Sequence, residues 1–279
     1  MLRTLLLIGL MLMPGALFAG KAGIGAWENS DYTMLGWIED TPALGWYYNW
    51  RPDQMWAEGR PRRSVEFVPM IHNRRDVNKR IVSDLRVSTL LGFNEPDAGA
   101  SRGTPKMTVE EAVALWPKLE RRGLRLGSPA TLQSGTLGRN SWQRRFMTEV
   151  EKRGLRVDFM AVHYYSTSGS VKEFETWLKA VHAEYKRPIW VTEYAYVDWG
   201  RPGSASYAKN AAFAEAAMVM MEKLPFVERH AWFAANPDVE NGRYPKINLV
   251  SDNLTPTPLG QTFDRVVSRL GGARVATRD

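Results

Sequence analysis

Two glutamates stand where short apolar runs end. Glu95 follows Leu90-Leu91-Gly92-Phe93-Asn94 and precedes Pro96, which stops a strand there, and Glu193 follows Ile189-Trp190-Val191-Thr192. A carboxyl group can work as acid, base or nucleophile near neutral pH, according to its surroundings. Two of them facing each other across a cleft are what glycosidic cleavage requires: one protonates the leaving oxygen while the other attacks the sugar or activates water. A separation of about 5–5.5 Å implies retention of configuration and about 6.5–9.5 Å implies inversion. The acid must hold its proton when substrate arrives, and its partner must be ionised.

Such a pair needs a scaffold that brings distant strand ends together. Short runs rich in β-branched and aromatic residues alternate with longer segments of helical period, the pattern of βα units and a parallel sheet. The strands are expected at Ala22–Trp27, Leu44–Tyr48, Val65–Ile71, Thr89–Asn94, Leu124–Pro129, Phe159–Tyr165, Ile189–Tyr194 and Arg229–Phe233. Eight strands in about 260 residues without a linker fit an α/β fold, a single-domain (β/α)8 barrel with short or irregular outer helices. A barrel of this kind presents its chemistry at the C-terminal ends of its strands, where both glutamates fall, three strands apart. Thr108 with Glu111 and Ser170 with Glu173 predict helix starts, Gly154 predicts a stop, and a last helix is expected near Leu259–Leu270. The first strand is the faintest, because Gly23 and Gly25 dilute it.

Composition removes other chemistries. Among 279 residues there is no cysteine, which leaves oxygen or nitrogen as the only nucleophiles and excludes thiolate metal sites. The four histidines show no metal-ligand spacing, and no glycine-rich phosphate loop occurs, so neither a metal nor a cofactor is expected. The formal charge is +7, but the basic pairs are spread along the chain and no run reads as a nucleic-acid arm. Residues 1–19, with Arg3, the apolar stretch Leu5–Met13 and a small residue at Ala19, read as a secretory signal, followed by one catalytic domain over 20–279. Cleavage is expected after Ala19, with Ala22 as the alternative, since Leu17 is large for its position. The apolar stretch is too short for a bilayer span and is interrupted by Pro14-Gly15, so no membrane anchor is expected after cleavage and the site of action is secreted or periplasmic.

The residues around the glutamates extend the reading. Gly92-Phe93-Asn94-Glu95-Pro96-Asp97 resembles the Asn-Glu-Pro motif of clan A glycoside hydrolases. The ordered blocks Trp46-Tyr47-Tyr48-Asn49-Trp50, Phe67-Val68-Pro69-Met70, Ser128-Pro129-Ala130, Asp158 to Tyr165, Trp190 to Ala195 and Ala231-Trp232-Phe233 resemble glycoside hydrolase family 128 over nearly the whole mature chain. The resemblance implies a retaining β-1,3-glucanase with Glu95 as acid/base and Glu193 as nucleophile, and a β-glucan as partner; a monomer is expected. Where the family commonly has Trp after the histidine of the sixth block, this chain has Tyr164.

Asn94, which precedes the acid, is expected to contact the sugar 2-hydroxyl, with loop capping as its alternative. His163 and Tyr165 alternate to one side of their strand and are expected to bond the nucleophile or the sugar; a buried structural histidine is the other reading of His163. Trp232 and then Trp50 are the expected sugar platforms among eleven tryptophans, because indole faces stack on sugar C–H faces. Asn49 is expected at a sugar hydroxyl or as a turn cap, and Asp97 as a turn residue. The groove walls are expected at Gly99–Thr104, Gln133–Asn140, Thr167–Gly169, Asp198–Ser206, Asn236–Pro245 and Trp50–Arg63. A non-catalytic glycan-binding barrel and the same mechanism on another cell-wall glycan stay open at this point.

Overall fold

The computed structural model describes residues 20–41, 43–56, 64–99, 106–238 and 245–276. The expected signal segment, residues 1–19, lies outside them. All eight expected strands form, as β1 (Ala22–Gly25), β2 (Trp46–Tyr48), β3 (Glu66–Phe67), β4 (Thr89–Leu90), β5 (Arg125–Leu126), β6 (Met160–Ser166), β7 (Ile189–Tyr196) and β8 (Val227–Trp232). Six of them make one parallel sheet in the order β3-β2-β1-β8-β7-β6, and β4 pairs with β5. The bridges Met70–Leu91 and Gly127–Phe159 join β3 to β4 and β5 to β6, which closes the ring. The fold is a (β/α)8-type barrel.

Six helices cover it: α1 (Met34–Asp40), α2 (Val109–Glu120), α3 (Trp142–Lys152), α4 (Val171–Tyr185), α5 (Tyr207–Lys223) and α6 (Pro258–Ala276). Among the described residues none follows β2 or β3, so the expected irregularity is confined to that side of the ring. The helix starts are side-chain capped: Thr108, Ser141, Ser170 and Ser206 each accept the backbone N–H three residues on, each cap worth about 1 kcal/mol. Gly154 ends α3 at φ +66°, where a side chain would be strained. On α4, the 3,4,3,4 spacing of Val171, Phe174, Leu178, Val181 and Tyr185 predicts one buried stripe, and the last four are buried while Val171 is partly buried.

The barrel interior is aromatic. Trp46, Tyr48, Phe159 and Trp190 fill it with Val68, Met70, Leu91, Ala130, Ala161 and Ala231. At its N-terminal end the Arg229 guanidinium lies 4.5 Å from the Trp190 ring centroid and pairs with Glu66 at 2.6 Å, and Arg125 stacks on Phe159 and pairs with Glu228. The β1 glycines follow from this filling. A Cβ on Gly23 would stand 2.5 Å from the Trp46 ring, and one on Gly25 would stand 2.6 Å from Trp50. The residues that dilute the strand signal leave room for the indoles of β2.

Candidate active site

Glu95 and Glu193 face each other at the C-terminal end of the barrel, both nearly buried. One carboxylate oxygen of each, together with an imidazole nitrogen of His163, lies within 4.8 Å of the others. Each glutamate is aimed by a departure from regular strand. The β6–β7 register pairs Val162 with Val191 and then His163 with Glu193, so Thr192 is an extra residue that turns Glu193 inward. Glu95 has φ +40°, in the left-handed region that only glycine enters freely. Its N–H donates to the Ala130 carbonyl at 2.6 Å, and Asn94 N–H donates to the His72 carbonyl at 2.9 Å, so the strained turn is fixed from both sides.

Donors surround the Glu193 carboxylate. Trp50 Nε1–H donates to Oε1 at 2.8 Å, the Tyr165 hydroxyl donates to Oε2 at 2.5 Å, and the Tyr48 hydroxyl, which donates to the Thr192 carbonyl at 2.8 Å, stands 3.4 Å from Oε1. Burial pushes the Glu193 carboxyl above its ordinary value, with Glu95 acting the same way, while His163, Tyr165 and Trp50 pull it down. His163 Nδ1 lies 3.0 Å from Glu95 Oε1 and 3.4 Å from Glu193 Oε2. Burial opposes a charge on this imidazole, but the two carboxylates outweigh it and its pKa is raised. Burial and the Glu193 charge both push the Tyr165 and Tyr48 hydroxyls well up, which keeps them protonated as donors.

The trio of Glu95, His163 and Glu193 is close enough for a divalent ion, and is the one such group among the described residues. The chemistry of the set fits a metal poorly. The Trp50 N–H and the Tyr165 O–H already occupy one Glu193 oxygen each, and a cation would compete with both.

Other expected site residues fall in several places. Asn94 is buried beside Glu95, with an Oδ1 that makes no hydrogen bond to the described residues. Trp50 and Tyr165 lie at the carboxylates, with Trp27 5.8 Å from the Trp50 ring and Trp199 5.2 Å from Tyr165. Trp232 does not line the site: it is fully buried on the outside of the barrel, donates to the Ile247 carbonyl at 2.7 Å and packs on Tyr194. The next residue, Phe233, faces the site, edge-on to Trp50, Tyr165 and Trp199. Asn49 is a turn cap rather than a sugar contact, since its Nδ2 donates to the Asp53 carbonyl and its Oδ1 accepts from Arg51 N–H. Asp97 is a turn residue as expected, and its Oδ1 accepts Leu132 N–H at 3.0 Å, tying the β4 and β5 loops together. His72 accepts from Asn73 Nδ2, and the buried His230 meets Tyr194.

Tyr48 is the functional residue that the sequence reading passed over. The signal was there: Trp46, Tyr48 and Trp50 are aromatic at alternate positions, one face of one strand running up to the carboxylates. Two cavities flank the centre. One of about 440 Å³ is lined by Gln133, Tyr165, Thr167, Trp177 and Trp199. The other, of about 260 Å³, is lined by Trp27, Glu28, Asn236 and Asp252 on the β1–β8 side. Four of the expected walls thus contribute. Of the segment 99–104 only Gly99 is described, and residues 57–63 also lie outside the description.

Residues 25–263 match the family described as glycosyl hydrolase catalytic core. A crystal structure of a glycoside hydrolase family 128 (subgroup I) endo-β-1,3-glucanase from Amycolatopsis mediterranei, in complex with laminaripentaose, is 33% identical at a TM-score of 0.72, covering 88% of this chain and 99% of that one. A subgroup V exo-β-1,3-glucanase of the same family from Cryptococcus neoformans is 24% identical at a TM-score of 0.72 over 89% of this chain and 99% of that one, a likeness of fold. The alkali-sensitive linkage protein 1 of Schizosaccharomyces pombe is 27% identical over 255 residues, 88% of this chain; the chain spans 44% of that protein's length.

Proposed function

The chain belongs to glycoside hydrolase family 128, and from that premise we propose that it is an exported, endo-acting β-1,3-glucanase that retains configuration through a covalent intermediate. The observation that carries the mechanism is the spacing of the two carboxylates. One oxygen of each carboxylate lies within 4.8 Å of the other, which supports the closer spacing of the retaining route over the about 6.5–9.5 Å of the inverting one. Glu193 Oε attacks the anomeric carbon as the bond to the leaving sugar breaks, and the proton of Glu95 passes to the leaving oxygen. Water then attacks the glycosyl-enzyme, Glu95 takes its proton, and Glu193 is released.

The other residues divide the work. Trp50 and Tyr165 hold the Glu193 carboxylate as an ion against the cost of burial. His163 Nδ1 stands between the two carboxylates, 3.0 Å from Glu95 Oε1 and 3.4 Å from Glu193 Oε2, and fixes their relative placement. Asn94 Oδ1 is an acceptor placed for a sugar hydroxyl beside the acid. Support for endo action comes from the cavities on both sides of the centre and from the activity of the 33% identical relative. Support for export is the signal-like segment at residues 1–19. Cleavage after Ala19 is the reading that fits the fold. Lys21 Nζ donates to the carbonyls of Met221, Glu222 and Leu224 at the end of α5, and Ala22 pairs with His230 in the barrel.

The test is release of reducing ends from soluble β-1,3-, β-1,4- and mixed-linkage glucan, with product chain lengths followed in time and Glu193→Gln as the control. Mid-sized oligosaccharides from the β-1,3 polymer early in the reaction, absent with the variant, are expected. Equal turnover by the variant, or single sugars as the first product, overturns the reading.

A further inference from the structure

The catalytic machinery occupies one end of the barrel, while most of the excess charge lies on its flank. Residues 106–158 carry eleven Lys and Arg against six Asp and Glu, in a chain of net charge +7. This stretch folds as α2, β5 and α3, with the two helices packed side by side outside the barrel. Against them opens a cavity of about 570 Å³ lined by Val109, Glu110, Arg139, Arg144, Arg145 and Arg153, among others.

The guanidiniums of this cavity are loosely held. Arg145 reaches Glu110 only at 3.4 Å and Arg153 reaches Glu149 at 3.5 Å, with all four side chains substantially exposed. Pairs of that kind contribute little and give way to a stronger acceptor. Arg139 and Arg144 make no ion pair with any described residue. The first turns of α2 and α3 border the same concavity, so the positive ends of both helix dipoles add to its potential.

We propose that this face is a binding site for an acidic, carboxylate-bearing polysaccharide, whose carboxylates accept forked hydrogen bonds from Arg139, Arg144, Arg145 and Arg153. The lining selects this class. Among the described residues no aromatic side chain lines the cavity, so none of them stacks a nucleic-acid base there. The large apolar side chains exposed among the described residues are Tyr32, Trp56 and Val82, none of them in this lining, so no wedge enters a lipid surface there. Glu110 and the neighbouring carboxylates disfavour a doubly charged phosphate more than a singly charged uronate. The first turns of α2 and α3 follow β4 and β5 at the end of the barrel that holds Glu95 and Glu193. A charged matrix strand held here therefore keeps the enzyme beside its neutral substrate without entering the cleft.

Affinity electrophoresis of the full mature chain through gels containing polygalacturonate or neutral dextran tests this, with Arg139→Gln/Arg144→Gln as the variant. Polygalacturonate is expected to retard the wild type and dextran is not, in a salt-dependent way, and the variant is expected to bind about tenfold more weakly, for two lost contacts on an exposed surface. Turnover of soluble β-1,3-glucan by the variant should be unchanged, which also reports that it is folded. Equal retardation of wild type and variant, no retardation of either, or tighter binding to duplex DNA or anionic phospholipid vesicles than to polygalacturonate overturns the proposal.

Discussion

Tyr165→Phe removes one oxygen from the centre and little else. The ring keeps its edge contacts with Trp199 and Phe233, while the 2.5 Å hydrogen bond to Glu193 Oε2 is lost. A hydrogen bond to an ionised group contributes about 1.5–3 kcal/mol. Here it favours the carboxylate over the carboxylic acid, so it acts against the burial that already raises the Glu193 pKa. One unit of pKa corresponds to about 1.36 kcal/mol, and the loss therefore moves the Glu193 titration up by about 1–2 units. In the pH dependence of kcat/KM the acid limb reports ionisation of the Glu193 carboxyl in the free enzyme. That limb is expected to shift upward by the same amount. Well below it, kcat/KM falls about 10- to 100-fold, and the deficit closes as pH rises. A loss of equal size at every pH would refute the reasoning, because it would mean that the hydroxyl positions substrate rather than holding the charge. An unmoved limb at full activity would refute it as well.

Glu193→Gln removes a carboxyl whose folded pKa is raised, so the wild type pays a cost that is absent below the ordinary glutamate range and grows as pH rises through the folded value. Thermal unfolding should accordingly show the variant gaining on the wild type from about pH 4 to pH 7, and a gap that narrows over that range contradicts the shift. Gly25→Ala puts a methyl 2.6 Å from Trp50, and overpacking of about 1–3 kcal/mol in unfolding free energy should accompany a fall in kcat as the indole leaves Glu193; full activity would show that Trp50 is dispensable. Trp232→Phe should cost about 2–4 kcal/mol of stability, through a cavity and an unpaired Ile247 carbonyl, with KM for glucan unchanged; a raised KM would return Trp232 to the groove. Amino-terminal sequencing of the exported chain should begin at Gly20, and a start at Gly23 would mean that β1 forms without Ala22.

The parts of the fold legible in sequence were those where one residue type carries one physical job. Strands read as apolar runs, and two helix starts read as Thr108 and Ser170, whose side chains meet backbone N–H groups in the structure. The two glutamates read from their place after such runs. What was not legible was which way a side chain points at a strand end. Trp232 and Phe233 are adjacent aromatics at the end of β8, and only one of them can face the axis. Nothing in the pair itself selects Phe233; the selection comes from Ala231, small enough for the filled interior and fixed there, which sets the parity of everything after it. Asn49 failed for a related reason. It lies between Tyr48 and Trp50, which both point inward, so its own side chain is left to the turn.

The same parity would have turned Glu193 the wrong way. Trp190 points into the barrel, and strict alternation would bring Thr192 and Tyr194 inward and send Glu193 out to the helices. The extra residue at Thr192 shifts the register by one, so that Glu193 enters the centre and Tyr194 joins the outer core. The cost is a bulge whose carbonyl would be unpaired in a regular ladder, and Tyr48, from across the barrel, donates to it. Glu95 is placed by a different irregularity, a left-handed residue clamped by backbone hydrogen bonds to the neighbouring strand. Both carboxylates are thus held by local backbone arrangements that regular strand geometry would not produce, and each is stabilised by groups from other strands. The aromatic stack of β2 and the turn after it therefore serves two ends: it fills the interior, and through Tyr48 and Trp50 it fixes both the backbone beside Glu193 and the Glu193 oxygens.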